Sequence, residues 1–280
     1  MLLKGLKLKK ISLDKRSIYL RKLILRGLIG GNRGHIGSSM SLVEILRVLY
    51  DKILKFKPKD PLFKNRDRLI FSKGHGCLAL YSILADKKFF SLSKLDSFCK
   101  SDSLLGGHPD FEIPGVEASS GALGHGASIG VGVALSLKLK KNKSKVFVII
   151  GDGELGEGSN WEAFMYADKY KLNNLFFVID KNNLQTYGNP SIVSGLTSLK
   201  NKFLSFGLNV SEVDGHNLGK IEKTMQKHLH IKNNKSHVII CNTIKGRGID
   251  FTENSLDWHH KSSLSEDEIS KMKLALGNSS

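Results

Sequence analysis

The chain has 280 residues, 40% of them hydrophobic, which is enough for one large α/β domain or two small ones with a substantial core. Its three cysteines, Cys77, Cys99 and Cys241, are scattered and odd in number, so they argue against a disulfide framework and favour a reducing, cytoplasmic location. No apolar run approaches the ~20 residues of a membrane span. Lysines interrupt every apolar run near the N-terminus, so we expect neither a membrane helix nor a signal peptide.

The formal net charge of +17 raises the question of a nucleic-acid partner. The lysines, however, are spread along the whole chain, and no basic aromatic patch or known nucleic-acid module accompanies them. A charged, solvated surface is the simpler interpretation, and attraction of phosphorylated or acidic partners is the alternative. We therefore expect no nucleic acid among the partners.

The first part of the chain predicts two helices. Apolar side chains recur with helical period over residues 12–29, and the glycine-rich segment 27–37 is expected to end this helix. Ser41 and Glu44 have the spacing of a capping box, which predicts a second helix running to about Leu54.

The rest of the chain alternates between strand and helix signals. The predicted elements are a strand at 68–72, a small-residue helix at 119–140, a strand at 146–150, a helix, a strand at 175–179, a strand at 210–213, a helix near 218–230 and a strand at 237–241. This alternation predicts an α/β fold with one mostly parallel sheet covered by helices on both faces. We expect one domain over residues 1–262 and a polar C-terminal tail at 263–280 with a short capped helix from Ser265.

Two polar side chains follow neighbouring predicted strands. Asp152 lies in Gly-Asp-Gly directly after the strand at 146–150, and Asn182 follows the strand at 175–179. In a βαβ unit these strand ends meet at the same edge of a parallel sheet, which is where ligands bind. An acid and an amide oxygen, without a full cage, suit Mg²⁺ completed by phosphate oxygens and water. The alternative is an ordinary βαβ unit with a tight turn.

Four Gly-His pairs lie in predicted loops or at element ends: Gly34-His35, Gly74-His75, Gly107-His108 and Gly124-His125. A neutral imidazole can both donate and accept a proton near neutral pH. A single such histidine is more often a surface or capping residue, but several on the loops of one domain favour a catalytic cluster.

Here the motifs resemble transketolase, in order. The matching segments are GHIGSSMS, SKGHG, GGHPD, IPGVEASSGALGHG, GDGELGEG and the Asn182 segment, with TIKGRG and WHHKS extending the resemblance to residue 262. The resemblance implies a thiamin diphosphate-binding fold, thiamin diphosphate and Mg²⁺ as cofactors, and transfer of a two-carbon ketol unit from a ketose to an aldose.

The resemblance also implies which residues hold the cofactor. Asp152, Asn182 and the backbone carbonyl of Leu184 would hold Mg²⁺, and the backbone at Gly151 and Gly153 would approach the diphosphate. Three more residues are expected at the organic part of the cofactor: Gly121 and Leu123 would line the aminopyrimidine, and His75 would face the thiazolium.

The substrate side of the implied site consists of histidines. His35 and His75 would face the thiazolium and the reacting sugar, and His108 would contact the sugar hydroxyls and the carbanion intermediate. His259 would reach the substrate near the thiazolium or diphosphate.

Two further residues have competing interpretations. Glu157 is implied near the subunit interface, where it would couple two cofactor sites, and its alternative is a carboxylate favoured by a helix start. Lys245 is a weak candidate near the diphosphate, and its alternative is a solvated lysine.

The chain departs from the family pattern at three positions. His125 stands where glutamine is usual, and Lys181 replaces an acidic residue common in the long enzymes. His260 stands where glycine usually follows the histidine, so the functional residue is either His259 or His260.

The largest departure is length, because the common transketolases are more than twice as long. Their pyrimidine-binding domain carries the glutamate that acts on the aminopyrimidine, and we find no matching motif here. The resemblance therefore implies the N-terminal subunit of a split transketolase. We expect it to be active only with a partner that carries the pyrimidine-binding domain, in a hetero-oligomer of the α2β2 kind, on sugar phosphate substrates and without nucleic acid or membrane.

Other functions remain open at this point. A specialised sugar synthase or transketolase of the same family fits the motifs, and a 1-deoxyxylulose-phosphate synthase relative fits them less well. A non-catalytic regulatory or binding subunit that keeps the fold is a further alternative, as is a nucleic-acid-binding protein inferred from charge alone.

Overall fold

A computed structural model of the chain describes residues 13–277. Five strands form one sheet in which every neighbouring pair is parallel and the order is β1-β2-β3-β5-β4. The strands are β1 (Arg68–Phe71), β2 (Val146–Gly151), β3 (Leu175–Lys181), β4 (Asn209–Asp214) and β5 (His237–Asn242).

Ten α-helices are found in the described part of the chain. They are α1 (Lys15–Gly31), α2 (Ile36–Met40), α3 (Val43–Val48), α4 (Cys77–Asp86), α5 (His125–Leu139), α6 (Gly158–Lys169), α7 (Pro190–Val193), α8 (Leu199–Ser205), α9 (Leu218–Leu229) and α10 (Glu266–Ala275). A single π-helical turn, Leu49–Ile53, continues α3.

The buried core lies on both faces of the sheet. Because side chains alternate along a strand, Phe147 and Ile149 of β2 pack with α1–α4 and α9, while Val146, Val148 and Ile150 pack with α5, α6 and α8. A strand buried on both faces reads as a continuous apolar run, as β2 does. The predicted fold class, a mostly parallel sheet covered by helices on both faces, is confirmed.

The predicted capping box at Ser41 and Glu44 is wrong. The helix starts at Val43, and Leu42, at the capping position before it, makes no side-chain capping hydrogen bond. The Ser41 hydroxyl donates instead to the Asp180 carboxylate at 2.6 Å, and Glu44 pairs with Arg21 at 2.6 Å. Both side chains of the expected capping box thus bind partners in the core that are distant in sequence, and neither caps the helix.

The small-residue helix is shorter than the predicted 119–140. Helix α5 starts at His125, and residues before it form a loop in which Gly121 and Gly124 have φ of +149° and +84°. These are backbone conformations that L side chains rarely adopt, so the glycines permit the loop and prevent the helix from starting earlier. The strands and the helix near 218–230 match their predictions within a few residues.

The tail helix forms with its predicted cap. Ser265 and Glu268 make a reciprocal capping box at the start of α10. Met272 and Leu276 are nevertheless buried in the core cluster beside α1, so this segment packs on the domain. The boundary at residue 262 stays a prediction.

No helix in the described residues is both long and apolar enough to span a bilayer. The lysine-broken run at residues 1–12, on which the signal-peptide expectation rests, lies outside the described part.

Candidate active site

A cavity of about 460 Å³ opens at the carboxyl ends of β1, β2 and β3. All the site residues predicted from the sequence line it: His35, His75, His108, Gly121, Leu123, Gly151, Asp152, Gly153, Glu157, Asn182, Leu184 and His259. They come from seven separate segments of the chain. The parallel sheet therefore brings together what the sequence spaces over more than 200 positions.

A wider cleft of about 590 Å³ lies at the opposite, amino-terminal edge of β1 and β2. Its lining consists mainly of lysines and asparagines, without a histidine or a carboxylate. We assign the site to the smaller cavity because, of these two, it alone is lined by carboxylates, imidazoles and glycine backbone that a ligand can approach closely.

Asp152 is buried, with 4% of its surface exposed, at the end of β2. Its two carboxylate oxygens accept backbone N–H groups, from Gly153 at 2.9 Å and from Asn183 at 2.5 Å. Burial, reinforced by the nearby Asp180 carboxylate, raises the pKa of Asp152 to about 6. The fold thus holds a carboxylate in a place that disfavours its charge, and a cation in the cavity would relieve that cost.

The surrounding donors fit a hard cation. The Asn182 Oδ1 accepts the Leu184 N–H at 3.0 Å, and the Leu184 carbonyl accepts the Lys245 ammonium at 2.9 Å. Each of these oxygens keeps a second lone pair. No cluster of three or more histidine, cysteine, aspartate or glutamate residues suited to a metal occurs in the described chain. A carboxylate, an amide and a carbonyl suit Mg²⁺, which leaves positions for phosphate oxygens.

Three imidazoles surround the cavity at similar spacing. Their ring centroids are 5.4 Å apart for His35 and His75, 5.7 Å for His35 and His259, and 6.1 Å for His75 and His259. Burial, with the neighbouring histidines, lowers the pKa of His35 to about 3, and burial also lowers the pKa values of His75 and His108. At neutral pH these rings are uncharged and can donate one hydrogen bond while accepting another.

The first and last of the family-like motifs are tied together by backbone. Gly34 and Lys261 exchange two backbone hydrogen bonds, of 2.9 and 3.0 Å, which form an antiparallel bridge. This bridge holds His35 beside the segment that carries His259 and His260. Of these two, His259 lines the cavity, while His260 does not and lies beside His35, with ring centroids 4.5 Å apart and the rings tilted by 52°.

Lys245 is held inside the site, with 1% of its surface exposed. Its ammonium lies 2.6 Å from Nδ1 of His259, and burial together with the Lys73 charge lowers the pKa of Lys245 to about 7. Burial and Lys245 lower the pKa of His259 to about 4, so that ring is neutral. When Lys245 is charged, Nδ1 of His259 accepts from its ammonium and the ring proton sits on Nε2, 3.3 Å from the Thr186 hydroxyl. The solvated-lysine interpretation of Lys245 is wrong.

Glu157 lies at the cavity rim and is exposed. It precedes α6, but its side chain makes no capping hydrogen bond. Gly121 lies against the His108 ring, since a Cβ added there would be 3.2 Å from it. The departing residue His125 is exposed and does not line the cavity.

A family model described as the transketolase thiamine diphosphate binding domain matches residues 14–280. The chain belongs to this family. The resemblance read from the motifs is therefore confirmed.

Two relatives match along nearly their whole length. One is a subunit of the apulose-4-phosphate transketolase of Actinobacillus succinogenes, 42% identical over 242 residues, which cover 86% of this chain and 87% of that protein. The other is the 6-deoxy-6-sulfo-D-fructose transketolase subunit SqwG of a Clostridium species, 36% identical over 252 residues, covering 90% and 91%.

Among solved structures, transketolase from Leishmania mexicana superposes with a TM-score of 0.87 at 28% identity. The match covers 96% of this chain but 42% of that one. The chain thus spans about two fifths of the solved transketolases of this kind that it matches.

A buried charge pair that no sequence motif indicated also lies in this transketolase domain site. Lys73 lines the cavity and pairs with Asp180 at 2.6 Å, and both side chains are almost fully buried. Asp180 also accepts the Ser41 hydroxyl and the Thr243 hydroxyl. In the sequence, the one indication of this pair is that a carboxylate, Asp180, ends the apolar run of β3 just before Asn182.

Glu154 was missed as well, although it lies inside the GDGELGEG segment. Its buried carboxylate accepts the Ser72 hydroxyl and the backbone N–H groups of Gly124 and Gly151, the latter two at 3.0 and 3.1 Å. It therefore ties together the ends of β1 and β2 and the loop before α5. A buried acid with three donors is a means of fixing loops, and charge-assisted bonds of this kind are among the stronger ones.

Proposed function

We propose that this chain is the thiamin diphosphate- and Mg²⁺-binding subunit of a split transketolase. It transfers a two-carbon ketol unit from a ketose, in particular a ketose phosphate, to an aldose. The observation that carries the proposal is the convergence of Asp152, Asn182 and four histidines on one cavity, in a chain as long as the transketolase subunits it matches.

Asp152, Asn182 and the Leu184 carbonyl would hold Mg²⁺, and the backbone at Gly151 and Gly153 would lie along the diphosphate. When bound, thiamin diphosphate supplies a thiazolium that takes up the electron pair released as the ketose carbon–carbon bond breaks.

The positive charges of the site lie on the same side as the metal ligands. Lys245 contacts the Leu184 carbonyl, and the Lys73 ammonium is balanced by Asp180. Lys245 would therefore offer the less neutralised ammonium to a diphosphate, which favours the expected place of that group near the β2 and β3 ends.

The histidines perform the proton work expected of this chain. Uncharged His35 and His75 can each accept a hydroxyl proton on one nitrogen while donating from the other, whereas His259, with Nδ1 against the Lys245 ammonium, offers its Nε2–H as a donor. His108, beside Gly121, would orient the sugar hydroxyls. His259 is favoured over His260 as the residue that meets the substrate, because His260 does not line the cavity.

A partner chain is the second half of the proposal. The chain covers 42% of a solved transketolase, and relatives of its own length are named as subunits. Two large apolar side chains on the segment after β3 are exposed: Tyr187, which lines the cavity, by 85% and Ile192 by 84%. Such side chains suit burial against another protein. We propose a partner that carries the pyrimidine-binding domain, in an α2β2 assembly within the cytoplasm, with Glu157 near the interface.

A specialised sugar is the second candidate for the substrate. The relatives above 35% identity include proteins named for apulose 4-phosphate and for 6-deoxy-6-sulfo-D-fructose. These names favour a modified ketose over the common pentose phosphates. A non-catalytic subunit is disfavoured, because each predicted site residue lines the cavity.

The test uses the chain purified together with its partner, thiamin diphosphate and Mg²⁺. Ketoses labelled with ¹³C at carbons 1 and 2 are supplied one at a time with a panel of aldose phosphates. We expect the two labelled carbons to appear together as carbons 1 and 2 of a new ketose. Release of labelled carbon dioxide, or transfer of an acyl group without its hydroxyl, would contradict the ketol-transfer assignment.

A further inference from the structure

The segment that follows β5 brings Lys245 into the site although it has no regular secondary structure. β5 ends at Asn242, and Lys245 then reaches the Leu184 carbonyl and His259. A lysine side chain has many rotamers, so its position depends on how firmly the backbone beneath it is held.

The backbone on both sides of Lys245 is held by one buried cluster. Ile244 donates its N–H to Nε2 of His216 at 2.8 Å, and Arg21 donates from Nε to the Arg247 carbonyl at 2.7 Å. The side chains of His216 and Arg21 are both buried in the interior of the domain.

The same cluster is closed by Glu44. His216 and Glu44 are 2.8 Å apart, and Arg21 donates to both oxygens of Glu44 at 2.6 and 3.0 Å. Because Nε2 of His216 accepts from Ile244, its proton must sit on Nδ1, from which it donates to Glu44. One neutral tautomer therefore satisfies both contacts.

A buried charged cluster of this kind is weak evidence for a gain in stability. Burying an arginine, a glutamate and a histidine costs desolvation that the mutual attraction often only balances, and apolar residues of equal volume are often as stable. The cluster joins α1, α3, the loop after β4 and the segment after β5, four parts that are distant in sequence. It anchors the backbone on either side of Lys245 from the interior, beside the backbone hydrogen bonds from Gly246 to the Gly37 carbonyl and from Asn254 to the Lys245 carbonyl, both 2.9 Å.

We infer that His216, oriented by Glu44 and Arg21, is a positioning residue that sets Lys245 against the cofactor site. This inference rests on the proposed function. His216 does not line the cavity and acts only through the Ile244 backbone. Losing it should let the segment shift and should weaken cofactor binding without removing any group that touches the cofactor.

The experiment measures the Kd of thiamin diphosphate, with Mg²⁺, by calorimetric titration of the chain together with its partner. His216→Leu removes both hydrogen bonds, whereas His216→Gln keeps one acceptor and one donor. His228→Leu is the matched control, since His228 is a buried histidine with hydrogen bonds to Ser211 and His237 and does not line the cavity. Melting temperatures are recorded for each protein.

A double-mutant cycle with Lys245→Met separates positioning from general loosening. We expect His216→Leu to weaken binding at least tenfold, His216→Gln to recover most of that loss, and His228→Leu to lower the melting temperature while changing Kd less than twofold. In the Lys245→Met background, His216→Leu should have almost no further effect on Kd.

The positioning role and the proposed function fail in different ways. Equal weakening by His216→Leu and His228→Leu, or full additivity with Lys245→Met, would overturn the positioning role while leaving the proposed function intact. If the unmutated complex shows no Mg²⁺-dependent binding, the proposed function fails and the inference falls with it. If His216→Leu does not fold, the same cycle is run with His216→Gln. A positioning role then requires that His216→Gln weaken cofactor binding to an intermediate degree, and that it have no effect on Kd in the Lys245→Met background.

Discussion

Replacing Asp152 with asparagine tests the metal assignment with almost no change of shape. The carboxylate accepts one backbone N–H on each oxygen and is already buried before any ligand arrives. The carboxylate is therefore already desolvated in the folded chain, and binding of the cation adds no further desolvation cost. Asp152→Asn removes the attraction for the cation without making binding easier in any other way. A divalent ion about 2.1 Å from a carboxylate oxygen is attracted by many kcal/mol even at an effective dielectric constant of ~20.

A tenfold loss of affinity, about 1.4 kcal/mol, is thus a conservative lower bound for Asp152→Asn. The assay is calorimetric titration of the two-subunit protein with thiamin diphosphate, with Mg²⁺ and with a chelator. The variant should bind weakly, and added Mg²⁺ should change its affinity little.

Asp67→Asn provides a matched control. Asp67 is also buried and also accepts two backbone N–H groups, from Lys55 at 2.9 Å and Lys145 at 2.7 Å, but it lies at the opposite edge of the sheet. The Asp67→Asn variant should bind the cofactor with the same affinity as the unmutated protein. Equal, Mg²⁺-dependent affinity of Asp152→Asn and the unmutated protein would refute the assignment of Asp152 as a metal ligand.

Two further predictions concern histidines. Alanine in place of His35, His75 or His108 should lower kcat/KM by roughly 10- to 10⁴-fold with little change in melting temperature, while exposed His125→Ala should leave both unchanged. Ready unfolding of all three variants with normal activity per folded molecule would instead make these histidines structural. Burial holds the pKa of His237 at about 3 against an ordinary 6.5, so this ring is neutral in the fold while the unfolded chain takes up a proton below pH 6.5. Stability is therefore lost as the pH falls, and His237→Phe should reduce the loss of unfolding free energy between pH 7 and pH 5 by up to about 2 kcal/mol, measured by urea unfolding; an unchanged pH dependence would count against a buried neutral His237.

The sheet, and with it the meeting of Asp152 and Asn182 at one edge, could be predicted because both depend on local patterns, whereas the histidines and the lining glycines were expected from the family resemblance. Apolar runs such as Val146–Ile150 of β2 are long enough to read as buried strands, and parallel topology then places the residues after them at one edge. The same reasoning placed Asp152 and Asn182 together in advance of any structure.

The errors arose where distant residues compete for a side chain. Ser41 fits a local cap by spacing, yet Asp180, far along the chain, binds its hydroxyl. Nothing in the local sequence of Lys73 indicates that Asp180 will neutralise it. The places of His259 in the cavity and of His260 beside His35 likewise depend on the bridge from Gly34 to Lys261, which no local pattern specifies.

The most direct test of the central claim compares three samples: this chain, a partner with the pyrimidine-binding domain, and the two mixed, each with thiamin diphosphate, Mg²⁺ and a ketose–aldose pair that the mixture accepts. Forming the reactive cofactor needs an acid at the aminopyrimidine, and no motif in this chain matches the one that supplies it. We predict that only the mixed sample transfers the ketol unit, and that this activity elutes with a hetero-oligomer on a sizing column. Robust turnover by the isolated chain would contradict the account, because the second half of the active site would then lie within this chain.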